Sequence, residues 1–238
     1  GSGDVGSPLY YLVVDFECTC TDTCLDPNTF QHEIIEFPVV LVDRSTFSTV
    51  DEFHSYVRPV ENPTLTPFCK TLTGITQKQV DRAKPLADVL ARFDVWLQRH
   101  NLHKPENTWT FVTDGPWDLE KFLEWQCVRA GIAKPPHFAR WADVRALFGA
   151  SQRMHRMSIQ DMLGHIGLEF EGRQHSGIDD ARNIARILVH LLQSGVDVTP
   201  NDFLYNPHPR QHYRGRNIWR KQMLIAKAEA EAEARKGS

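Results

Sequence analysis

The 238-residue chain lacks any apolar run long enough to span a bilayer, and no signal peptide precedes the fold. A membrane-spanning or secreted protein is therefore not expected; the expected setting is intracellular, cytoplasmic and/or nuclear. Cysteine is scarce, and five residues without a secretory signal imply reduced thiols rather than a disulfide framework. Cys18, Cys20 and Cys24 do form a C-x-C-x3-C cluster, but a soft metal held there would compete with the hard carboxylate ligands just before it. Cys69 and Cys127 read as buried apolar residues. A surplus of positive charge is also missing: the net charge of −3 argues against a general duplex binder, which usually carries a basic face. No internal repeat is present.

What remains is enough for one substantial core, since 41% of the residues are hydrophobic and nothing demands a second domain. Residues 1–8 read as a cloning remnant and flexible start, 9–196 as one folded domain, and 197–238 as a basic C-terminal extension, helical or partly disordered. In that extension Arg210, Arg214, Arg216, Arg220 and Lys221 interleave with Tyr213 and Trp219, a mixture that can grip single-stranded RNA. It suits a protein partner equally well. Residues 227–235 alternate alanine with charge, as a solvated helix or a disordered tail does.

Three segments carry the chemistry. Tyr10, Tyr11, Val13, Val14 and Phe16 suit a buried strand, and charge appears only at its end, in Asp15 and Glu17. Residues two apart on a strand share a face, so both carboxylates project together. Carboxylates so close repel each other unless a cation neutralises them, and hard oxygen ligands suit Mg or Mn rather than zinc. Read alone, the same D-x-E is a solvated turn. In the second segment Trp109, Phe111 and Val112 form a strand that Asp114, Gly115 and Pro116 break, after which Asp118 opens an amphipathic helix. Asp118 is also an ordinary helix-start acid, and Trp117 beside it is either core or a platform for a nucleobase. In the third, Ala181, Ile184, Ala185, Ile187, Leu188, Leu191 and Leu192 mark one face of a helix ending near Ser194 and Gly195. Asp180 lies in its first turn, and His175, on the loop ahead, can take a proton from a metal-bound water. Asp179 and Asp180 also suit plain capping.

Together the segments DFECTC, HEIIEFPVVLV, YVRPVENPTLTPFCKTLTGITQKQVD, FVTDGPWDLEKFL and EGRQHSGIDDARNIARI resemble the DEDDh, or DnaQ-like, 3'-to-5' exonuclease superfamily, and within it the Eri-type (enhanced RNA interference) exoribonucleases. The resemblance runs in order over residues 10–194. It implies that Asp15, Glu17 and Asp180 hold one divalent ion, that Asp15 bridges to a second held mainly through water by Asp118, and that His175 is the general base. Two ions of Mg or Mn about 4 Å apart would then stabilise both the attacking and the leaving oxygen, and nucleoside 5'-monophosphates would be the products. Because His175 acts when neutral, activity is expected to fall as pH drops through its pKa, near 6.5 when unperturbed. The resemblance also places the terminal nucleotide of a single-stranded RNA 3' end, or of a short 3' overhang, against Cys18, Thr19, Phe68, Leu72, Thr73 and Trp117. Phe68 and Leu72 read equally as core residues of a short helix, and Thr73–Gly74 as a helix stop before an N-cap at Thr76.

The fold expected is α/β and RNase H-like, a mixed five-stranded sheet flanked by helices. Strands are predicted at 10–16, 33–43 and 47–58, with a turn at Asp43 to Ser45 and a bulge or local break at Pro38. Helices are predicted over 86–100, from 118, after Ser158 and from 180, with a last strand at 140–144. Residues 9–196 would then be the exonuclease domain. No counterpart of the helical nucleic-acid-binding module that the resemblance places upstream in some relatives is expected, and the loop 21–31 reads as individual to this chain. Two other functions compete: a DNA 3'-to-5' exonuclease, separated by 2'-OH contacts alone, and a silent RNA-end-binding adaptor. The presence of all five catalytic residues weighs against the adaptor.

Overall fold

A computed structural model describes residues 7–23, 30–104, 106–155 and 157–204. Cys24 and the basic stretch from Arg210 onward lie outside these residues. The sheet is built on β1 (Tyr10–Val14), which pairs antiparallel with β3 (Ile34–Asp43) and parallel with β5 (Trp109–Thr113). β4 (Ser48–Tyr56) covers the other edge of β3, and β6 (Trp141–Asp143) runs parallel to β5. A sixth short segment, β2 (Glu17–Cys18), pairs with β3 on the edge that β1 uses, so the predicted first strand is present but split.

The split has a cause. Val14 faces Val39 and Glu17 faces Glu36 in one unbroken register, yet the ladder lapses at Asp15 and Phe16, opposite Phe37 and Pro38. Pro38 has no N–H to give. Toward β4 the same proline stays in register with His54, and the bulge on that side falls later, between Leu41 and Val42. The interruption predicted at Pro38 therefore appears on the β1 side only. At the tip of the β3–β4 hairpin, Asp43 Oδ1 accepts from the backbone N–H of Ser45 and Thr46, which closes the predicted turn.

Strand alternation sorts the core into layers. Leu12 and Val14 of β1, with Phe37, Val39 and Leu41 of β3, pack under α3 (Leu86–Arg99) and α4 (Leu123–Ala130) through Phe93, Trp96 and Leu123. Tyr11 and Val13, with Val40 and Val42, pack on the opposite face. Their partners there come from α5 (Val144–Gln152), α6 (Ile159–His165) and α7 (Gly177–Gln193). A smaller cluster of Leu65, Cys69, Ile75 and Val80 joins α1 (Pro67–Thr73) to α2 (Gln77–Arg82). Gly74 ends α1 in the left-handed region at φ 72°, and Thr76 with Gln79 forms a capping box for α2, as the sequence predicts. Ser158 likewise caps α6.

α5 has no predicted counterpart, and a further element differs from expectation. The helix from Asp118 begins as a π-helical turn, Trp117–Phe122, before α4, because the Leu123 N–H reaches the Asp118 carbonyl one residue farther back than an α-helix allows. Among the described residues, no helix is long and apolar enough to cross a membrane.

Candidate active site

Alternation also decides what Asp15 and Glu17 face. Their parity is that of Tyr11 and Val13, so they continue the face of the sheet covered by α7. Asp180, in the first turn of α7, points back at them. One carboxylate oxygen from each of Asp15, Glu17 and Asp180 lies within 4.8 Å of the others. Asp118 stands beside this trio on the π-helical turn, its Oδ1 accepting from the Phe16 N–H at 2.7 Å. His175 sits two residues ahead of α7 with φ 58°, in the left-handed region. Non-glycine residues adopt it uncommonly, with histidine among those enriched.

The electrostatics are those of crowded, dehydrated acids. Burial first, and then the charges of Asp118, Asp180 and Glu17, hold the Asp15 carboxyl well above its ordinary range. Glu17 is raised well above by burial and by Asp180 and Glu36. Burial pushes Asp118 up to about 7, against the pull of the Phe16 N–H, and pushes Asp180 up to about 8, against a backbone hydrogen bond from His175. Three converging oxygen donors, half-buried in Asp15 and Glu17 and buried in Asp180, whose mutual repulsion needs a counter-charge, fit divalent cations, and hard ones in particular.

The residues expected to hold a nucleic-acid end divide into two groups. Cys18, Thr19 and Thr73 are buried and engaged internally. The Thr19 hydroxyl accepts from the Glu33 N–H, the Thr73 hydroxyl donates to the Cys69 carbonyl, and the Cys18 carbonyl accepts from Cys69 Sγ. Phe68 and Leu72 are half-buried on the α1–α2 cluster, and Trp117 is half-buried with its ring 5.9 Å from that of Phe122.

Two acids near the site escaped the sequence reading. Asp114, taken there as a turn residue, has an 8% exposed side chain clamped by the Arg145 guanidinium, and its charge reaches Asp15, Asp118 and Asp180. Glu36, in the apolar strand β3, is 2% exposed, and its charge acts on Glu17 and Asp180. The signal for it was present, since a charged residue inside an otherwise apolar strand is rarely buried without partners.

Comparison with known proteins agrees with this geometry. The exonuclease family model RNase_T matches residues 12–188. Over 198 residues the chain is 40% identical to human 3'-5' exoribonuclease 1, covering 82% of this chain and 56% of the relative, so it spans about half the length of that protein. It is 39% identical over 208 residues to 3'-5' exonuclease Snipper of Drosophila melanogaster, covering 80% of this chain and 74% of the relative. The solved nuclease domain of 3'hExo, a DEDDh family member bound to rAMP, superposes with a TM-score of 0.78 at 40% identity. That match covers 82% of this chain and 96% of the other. The chain thus belongs to the RNase_T exonuclease family, in its DEDDh, Eri-type branch, a family that works with divalent metal ions.

Proposed function

We propose that the chain is a 3'-to-5' exoribonuclease that uses two divalent ions, Mg or Mn, to hydrolyse single-stranded RNA from its 3' end and release nucleoside 5'-monophosphates. The observation that carries this reading is the meeting of Asp15, Glu17 and Asp180 at one point, with ligand atoms within 4.8 Å, beside Asp118. In this assignment Asp15, Glu17 and Asp180 hold one ion, and Asp15 with Asp118 the other. The ions, when bound, supply positive charge against the negative charge that builds on the phosphate under attack.

The chain's own residues do the rest. His175 accepts a proton from the attacking water at an imidazole nitrogen. The water oxygen bonds to phosphorus as the bond to the penultimate O3' breaks, and the leaving O3' takes a proton from solvent, giving a shortened strand with a 3' hydroxyl and a free 5'-monophosphate. Phe68, Leu72 and Trp117 offer apolar surface to the last bases, whose stacking is tolerant of sequence, over a floor made by Cys18, Thr19 and Thr73. The rAMP in the related nuclease domain supports a ribonucleotide in this place. We place the domain at residues 9–196 and assign the C-terminal extension a contact with RNA or with a partner protein.

The test is a time course on matched RNA and DNA oligonucleotides with free or blocked 3' hydroxyls, using wild type and Asp15→Ala. Stepwise shortening of RNA from free 3' hydroxyls alone, abolished in the variant, is the expected result. Faster loss of DNA transfers the assignment to a DNA exonuclease, and binding without shortening in Mg or Mn transfers it to an adaptor.

A further inference from the structure

Glu36 sits in a strand that is buried from end to end apart from its last residue, and its parity with Val40 and Val42 turns it toward α7. Its carboxylate meets three nitrogens. Oε2 accepts from the Gly177 N–H at 3.0 Å, while Oε1 lies 3.4 Å from the Ile178 nitrogen and 2.7 Å from Nε2 of His54. Gly177 and Ile178 are the first two residues of α7, and the helix's own N-cap, Ser176, makes no side-chain capping bond. The cap of this 17-residue helix therefore comes from the sheet, 141 residues away in sequence.

A local cap would satisfy the same donors while leaving the helix free to shift over the sheet. A cap from β3 ties the helix start to the strand residue that faces Glu17 across the β2–β3 pair. Asp180 follows within the same first turn, and His175 precedes it by two residues. The Glu36 charge adds to the repulsion felt by Glu17 and Asp180, so these bonds carry a cost at the acidic cluster that a neutral cap would not. The arrangement makes sense as geometry control. Resting on the exonuclease reading above, we propose that Glu36 is a positioning residue that holds Asp180 and His175 in place relative to Glu17, and that His54, from β4, orients the Glu36 carboxylate.

The experiment compares wild type, Glu36→Ala, Glu36→Gln, His54→Ala and a control, Leu163→Ala, whose site lies in the core beneath α6. It measures kcat and KM on a 3'-hydroxyl RNA, Mn affinity by calorimetry with the metal alone, and thermal melting. Glu36→Ala is expected to lose about 10- to 100-fold in kcat and in Mn affinity with KM within about twofold, as loss of a group that orients metal ligands does. Glu36→Gln, which keeps an oxygen for the Gly177 N–H, recovers most of the loss, and Leu163→Ala lowers the melting temperature while leaving both readouts unchanged. If Glu36→Ala does not fold, Glu36→Gln and His54→Ala carry the comparison, each with a several-fold loss expected. Wild-type kcat and Mn affinity in the folded Glu36 variants overturn the proposal, as does a loss no greater than that of an equally destabilised Leu163→Ala. Should wild type fail to shorten RNA, the exonuclease reading falls, and the Mn titration still decides the role of Glu36.

Discussion

At the scale of single residues, burial and then mutual repulsion make the charged acids of the site costly, and a cation relieves that cost. Asp118 at about 7 and Asp180 at about 8 hold their protons more tightly folded than unfolded, where a carboxyl titrates near 3.9. Their contribution to stability is therefore fully present below about pH 4 and is lost as pH rises through about 7 to 8. Metal-stripped protein should melt at progressively lower temperature between about pH 5 and 8.5. A flat profile in chelator would contradict the crowding described here. Asp180→Asn should abolish activity yet raise the melting temperature of the metal-free protein at pH 8, by about 2–4 °C for each kcal/mol of relieved repulsion. His175→Asn keeps a residue that tolerates a positive φ. It should retain metal binding while losing about 10²- to 10⁴-fold in kcat, the usual contribution of a general base. These acids and the histidine could be singled out because their segments together resemble a known family; read singly, each also suited a turn or a helix cap. Asp114 was not, because it stands among turn residues; Glu36 could be flagged as a lone charge in an apolar strand, but its partners, on distant elements, could not be read.

Among the elements, α7 is held closest to the sheet. A Cβ added to Gly177 would lie 2.6 Å from the Asp15 carbonyl oxygen and 3.2 Å from Glu36 Oε2. Gly177→Ala must push the helix start outward, carrying Asp180 with it. A destabilisation of about 1–3 kcal/mol is expected from such overpacking, with a loss of Mn affinity measured by calorimetry. Unchanged metal binding would show that the close approach is dispensable. Most elements could be read from periodicity: the helix at Leu86–Arg99, the β3–β4 hairpin and the whole buried face of α7 follow from it. The π-helical turn could not be read. The sequence around Asp118 is amphipathic in the ordinary way, and Leu119 and Leu123, both buried in the core, fit an α-helical spacing as well as the widened turn.

For the molecule as a whole, metal occupancy and folding are one equilibrium. At pH 8 a divalent ion at 100 times its dissociation constant should stabilise the fold by about 2.7 kcal/mol, and a chelator should remove that gain. Equal melting curves with and without Mg or Mn would count against ion binding at the acidic cluster. The sheet's two faces were legible as a whole, since β1 alternates between the α3–α4 layer and the α5–α7 layer. The seam in the β1–β2 strand has its own consequence. Just past the end of β1 the Phe16 N–H is held by the Asp118 carboxylate, so the protection of one amide against deuterium reports whether that acid is in place. In Asp118→Ala this amide should exchange at the rate of an opened loop while its neighbours in β1 stay slow, turning a single resonance into a gauge of whether the two halves of the site are joined.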